Sequence, residues 1–165
     1  MTKSLETGVD AEFFARKSTI VAQELLGRYV LREGMSARIM QTAAYEAGNM
    51  TPARKGMLYA PGTIFLMPFR GHTSFNIATD AMGKPSCVEI RAAEIVHPGG
   101  KIEVVETPYK LARSLQLDLK GRSRKNLDGQ LIGDALRITG QQADQQQKVT
   151  RNQGSDNCVE IYKIE

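Results

Sequence analysis

The 165-residue chain has no tryptophan, only two histidines and two cysteines, and an aromatic content confined to five tyrosines and five phenylalanines. Each shortage excludes something. Cys87 and Cys158 lie far apart, and with so few histidines no zinc-ligand spacing can be drawn. Folding needs neither disulfide nor metal, because a chain of this length buries roughly two-thirds of its unfolded surface. Two unpaired thiols suit a reducing compartment. No apolar run approaches the ~20 residues of a membrane span, and the opening MTKSLETGVD lacks an apolar signal core. The expected location is the cytoplasm, or the nucleoid in a bacterium, with no membrane partner. A formal net charge of +4 permits a polyanionic partner without requiring one. The basic run Lys120 to Lys125 reads first as a solvated loop and second as a phosphate contact.

What is present is a mixed α/β pattern organised around the stretch Pro61 to Glu94. Thr63 to Phe69, Thr73 to Thr79 and Ser86 to Ala92 read as three strands separated by turns at Arg70-Gly71 and Gly83-Lys84-Pro85. Alternation puts Cys87, Glu89 and Arg91 on one face of the third strand and Val88, Ile90 and Ala92 on the other. A face carrying both Glu89 and Arg91 beside Asn76 suggests a polar pocket on a rigid sheet. Upstream, Asp10 caps a helix expected to run from Ala11 to Leu26 with Ile20, Val21 and Leu25 on its buried face. A hairpin follows around Glu33-Gly34, and Ile39, Gln41, Ala43 and Tyr45 are expected to share a face of its second strand. Met50 to Gly62 reads as a loop carrying Arg54 and Lys55. Thr107-Pro108 starts a later helix, and the Gln-rich stretch Gln141 to Lys148 reads as exposed. Together these give a single α+β domain over residues 1–165 with a curved, mainly antiparallel sheet flanked by helices.

Several segments, in order, resemble the alkyladenine (3-methyladenine) DNA glycosylase family. They are Phe13-Phe14 with Ala22 to Arg28, Arg38 to Tyr45, Thr51-Pro52, Pro61-Gly62-Thr63, Asn76-Ile77, Val88 to Ala92, and Lys110 to Leu115. The resemblance implies a fold like the C-terminal domain of formyltransferases and a monomer without metal or cofactor. Its implied partner is double-stranded DNA with a damaged purine, flipped into a pocket and excised by hydrolysis of the N-glycosidic bond. In that pattern Tyr45 matches a residue that stacks on the flipped base, though a strand-end core tyrosine is the equal alternative. Asn76 matches the residue that senses the purine edge, and Arg91 one that helps hold the water and the backbone.

The chain also departs from the family. Ala43 stands where the signature strand carries its catalytic glutamate, and alanine cannot activate water. Met67 and Arg70 occupy hairpin positions that are aromatic in the family. With Arg54 and Lys55, Arg70 is the candidate cation for DNA. Glu89 falls at an apolar family position and is a candidate replacement base; its competing reading is a structural ion pair with Arg91, which would lower its pKa and basicity. Glu46 is a weaker candidate. Two further functions stay open: a non-catalytic DNA-damage-binding module and a small-molecule binding domain.

Overall fold

The computed structural model describes residues 8–46, 51–69, 71–117, 127–133, 135–152 and 158–164. Asp10 caps α1 (Ala11–Phe14), its carboxylate accepting from the Phe13 N–H at 3.3 Å. The chain then breaks and restarts as α2 (Ser18–Leu25), so the single helix expected from Ala11 to Leu26 is two. The reason is tertiary. The Asp80 N–H donates to the carbonyls of both Phe14 and Arg16, each at 3.0 Å, and so claims carbonyls an unbroken helix would keep for itself. Arg16 folds across the gap onto both carboxylate oxygens of Glu24 at 2.9 and 3.1 Å. The restart rephases α2, which buries Ser18, Val21, Ala22 and Leu25 and leaves Ile20 41% exposed.

The hairpin of β1 (Tyr29–Arg32) and β2 (Met35–Tyr45) turns at Glu33-Gly34 with φ of 49° and 79°, the doubly positive pair that matches strand twist. Residues expected as loop form α3 (Thr51–Gly56). It packs closely on the loop before β5 (Cys87–Val96): a Cβ at Gly56 would lie 2.6 Å from the Ser86 carbonyl oxygen. We expect Gly56→Ala to push α3 off the sheet and cost about 1–3 kcal/mol in urea unfolding, as overpacking does; an unchanged midpoint would contradict the close approach. The remaining elements are β3 (Ile64–Phe69), β4 (His72–Ala78), β5 (Cys87–Val96), β6 (Ile102–Val105), α4 (Pro108–Ser114), β7 (Arg137–Thr139), β8 (Gln147–Asn152) and β9 (Cys158–Lys163).

These strands form one nine-stranded sheet of antiparallel pairs, ordered β3-β4-β5-β2-β1-β7, with β6 also on β5 and β9 on β2 beside β8. The two long central strands each change outer neighbour halfway. β2 pairs with β1 through Met35 to Arg38 and with β9 through Gln41 to Ala44. β5 pairs with β4 through Cys87 to Ile90 and with β6 through Ala93 to Val96. Between them the register slips twice, leaving Met40 extra in β2 and Arg91 extra in β5. Such bulges bend strands and re-aim side chains.

The bulges correct two expectations about faces. Ile39 does not share a face with Ala43 and Tyr45; it lies in the main core cluster while they belong to a second one. On β5, Val88 and Ile90 join the main core as expected, but Ala93 rather than Ala92 continues it. That core sits between one sheet face and the helices α2 and α4. Thr42 ties β2 to α2 by donating to the Ala22 carbonyl at 2.8 Å. Buried Arg32 donates to the carbonyls of Leu115 and Gln116 at 2.7 and 3.1 Å, holding the C-terminal end of α4.

Candidate active site

The opposite face of the sheet carries the second, smaller cluster: Ala43, Tyr45, Ala53, Phe65, Ala78, Cys87 and Ile161. Its centre is Glu89. On one side Glu89 is paired with Ala43 of β2, and on the other with Asn76 of β4. Directly opposed residues on antiparallel strands hold their Cβ atoms about 4.5–5.5 Å apart. The carboxylate of Glu89 therefore starts one strand away from Ala43 and shares its surroundings.

Glu89 is only 6% exposed. The Arg91 guanidinium donates to Glu89 Oε1 at 2.5 Å, and the Tyr45 hydroxyl donates to the same oxygen at 3.3 Å. No described residue donates to Oε2. Burial pushes the Glu89 carboxyl above its ordinary pKa, and the opposing pull of Arg91 and of the hydrogen bonds does not cancel it. The ion pair expected with Arg91 is present and does pull the pKa down, but desolvation of the charged form outweighs that attraction. Tyr45 is buried with its hydroxyl committed to Glu89, and burial together with that carboxylate raises its pKa strongly. Burial also pushes up the thiol of Cys87 beside it, so this cysteine is a packing residue and not a nucleophile.

Asn76 is fully buried. Its side-chain amide donates to Ser74 Oγ at 3.0 Å, while its Oδ1 is sealed without a partner. Arg91 Nε is sealed and unpartnered too. A spare acceptor and a spare donor thus flank the carboxylate. Met67 is half-buried and packs against the same cluster. Tyr59 stacks on Phe65 at 5.4 Å; its placement by α3 was not legible in a segment read as loop.

The structure disperses the candidate cations. Arg54 is exposed on α3, whereas Lys55 turns inward and donates to the Leu66 carbonyl at 3.0 Å. Arg70 lies outside the described residues, as does the basic run Lys120 to Lys125. Nearby, Phe69 pairs with His72, and Gly71 has φ 83°. Sequence reasoning missed Asp128. Its carboxylate accepts from the Leu66 N–H at 2.7 Å, pinning the outer edge of β3.

A buried carboxylate on an antiparallel sheet, held by an arginine and a tyrosine beside unsatisfied amide and guanidine groups, is an arrangement suited to hydrolytic chemistry. The sequence profile of methylpurine-DNA glycosylases matches residues 12–154, and the chain belongs to that family. It is 32% identical over 161 residues to the protein of Desulfitobacterium hafniense (strain Y51) named "Putative 3-methyladenine DNA glycosylase", covering 77% of this chain and 76% of that one. With the DNA-3-methyladenine glycosylase of Mus musculus it shares 29% identity over 130 residues, covering 70% of this chain and 37% of the mouse protein.

Proposed function

We propose that the chain is a DNA glycosylase of base repair that takes a flipped, alkylated or deaminated purine onto the Glu89 face and hydrolyses its glycosidic bond with Glu89 as the general base. Family membership supports a 3-methyladenine DNA glycosylase-like repair function. The observation that supports the assignment of Glu89 is its register: the residue stands directly across from Ala43, and no described residue donates to Oε2. Water attacks C1′ of the deoxyribose, its proton passes to Glu89 Oε2, and the C1′–N bond breaks with its electron pair going to the purine. A purine alkylated at N3 or N7 starts as a cation and leaves neutral, whereas a neutral deaminated purine leaves as an anion and takes up a proton from solvent. Arg91 and Tyr45, both on Oε1, orient the carboxylate and leave the other oxygen for water. Its raised pKa makes it a stronger base than an exposed glutamate. A negative carboxylate beside the sugar would also stabilise the positive charge that develops there.

The test is release of hypoxanthine, ethenoadenine or methylated purines from duplex DNA by the unmodified chain. Binding without release of any of these bases would leave a damage-binding module in place of an enzyme. A second expectation concerns Arg70, a turn residue by its sequence context. If it neutralises a phosphate, Arg70→Ala weakens duplex binding and reduces the slope of log K against log salt by about 0.9. An identical slope in the variant would make Arg70 an ordinary turn residue.

A further inference from the structure

The Gln-rich stretch after Gly140 is largely exposed, as its composition predicts, but it is anchored at Ala143 and Gln146. The Ala143 N–H donates to the Leu26 carbonyl at 2.7 Å, and Gln146 Nε2 donates to the Gln23 carbonyl at 2.7 Å. Gly27, at φ 88°, permits this approach: a Cβ there would meet the Ala143 nitrogen at 2.7 Å. Residues 143–147 so become one wall of a groove of about 430 Å³, whose other wall is built from Arg38, Lys163 and Ile164. The groove lies where the outer edge of β2 passes from β1 to β9, with the Ile164 N–H donating to the Met40 carbonyl at 2.9 Å.

Its chemistry is that of an anion site. Arg38 and Lys163 are half-buried, and neither is ion-paired with a described carboxylate. Glu94 is the cross-strand partner of Arg38 without forming an ion pair with it, and among the described residues the guanidinium's one hydrogen bond is to the Met40 sulfur at 3.6 Å. Asp144 is the single acidic side chain in the lining, against these two cations. Gln145 and Gln146 add amides that both donate and accept. The volume falls in the roughly 300–1,000 Å³ range of small-molecule sites. Lys163 lies two residues along β9 from Ile161, the partner of Ala43, and on the same side of that strand by alternation.

We propose that this groove binds a phosphate-bearing nucleotide, with Arg38 and Lys163 on the phosphate and the glutamine amides on the polar edges of the sugar or base. The guanidinium fork matches two phosphate oxygens. The phosphate belongs either to a free nucleotide or to a DNA strand whose damaged residue sits elsewhere on the same face. This site is independent of the role given to Glu89.

The experiment is titration of the full chain, calorimetrically, with adenosine monophosphate and separately with a short undamaged duplex. The chain is compared with its Arg38→Met, Lys163→Met double variant. Losing charge-assisted hydrogen bonds at the phosphate should weaken binding by about tenfold or more. Weakened monophosphate binding identifies a free nucleotide, whereas weakening confined to the duplex identifies a strand phosphate. If the double variant binds both ligands as the parent does, or the parent binds neither, the proposal is overturned. Should the double variant not fold, Asp144→Asn decides. Removing the groove's one carboxylate should tighten binding of the same ligand, and unchanged or weaker binding overturns the site. Glu89→Gln should leave monophosphate binding as it was, which separates failure of this site from failure of the catalytic assignment.

Discussion

Replacing Glu89 by glutamine should lower purine release from alkylated duplex DNA by about 100-fold or more, the contribution typical of a positioned general base. Glutamine keeps the length of the side chain and an oxygen for Arg91 and Tyr45, but it cannot take the proton of an attacking water. DNA binding should survive, which separates lost chemistry from lost recognition. The pH profile carries a second signature. Because burial raises the Glu89 pKa, release by the parent should fall with acidification at a pH above that of an ordinary carboxylate. Stability moves the opposite way. Folding favours the protonated form, so the stability linked to Glu89 is fully present below the ordinary carboxylate pKa and is lost as pH rises through the raised value. Urea unfolding across that range should show the decline in the parent and its absence in Glu89→Gln. Full activity in the glutamine variant, with an unmoved acid limb, would remove Glu89 from the reaction.

The second large effect is expected from Ala43→Glu, and its size should depend on Glu89. In the parent the new carboxylate would stand across from Glu89 in a buried site, and two such groups share a proton instead of both ionising. Ala43 is also fully buried, so the longer side chain should cost about 1–3 kcal/mol of stability. Release should therefore change little, by less than about tenfold. In the Glu89→Gln background the same substitution should restore release by about 100-fold, since one carboxylate is then present and free to ionise. Ala43→Gln controls for size. A gain of about 100-fold from Ala43→Glu alone would mean that Glu89 is idle and that the unmodified chain lacks a working base.

Local chemistry made part of this legible in the sequence. The Glu33-Gly34 turn, the Asp10 cap and the Thr107-Pro108 helix start were readable because each is decided within a few residues. Alternation likewise put Glu89 and Arg91 together. It could not place Glu89 across from Ala43, because antiparallel register depends on strands far apart in the chain. The split between α1 and α2 was hidden for the same reason, since the donor that interrupts the helix is the distant Asp80. Nor could sequence rank burial above the attraction of Arg91 in setting the basicity of Glu89, because that ranking depends on what surrounds the pair.

The paired bulges at Met40 and Arg91 have an evolutionary consequence. Ile39 and Thr42 both face the helices although three residues separate them, and Ile90 and Ala93 do the same on β5. Loss of the extra residue at either place would therefore leave plain alternation, with Ala44 still on the core face and Tyr45 still opposite. A residue gained or lost elsewhere in either strand would instead turn everything beyond it to the other face. Lineages descending from this sequence should therefore tolerate a change in length at these two places more readily than at any other point of β2 or β5.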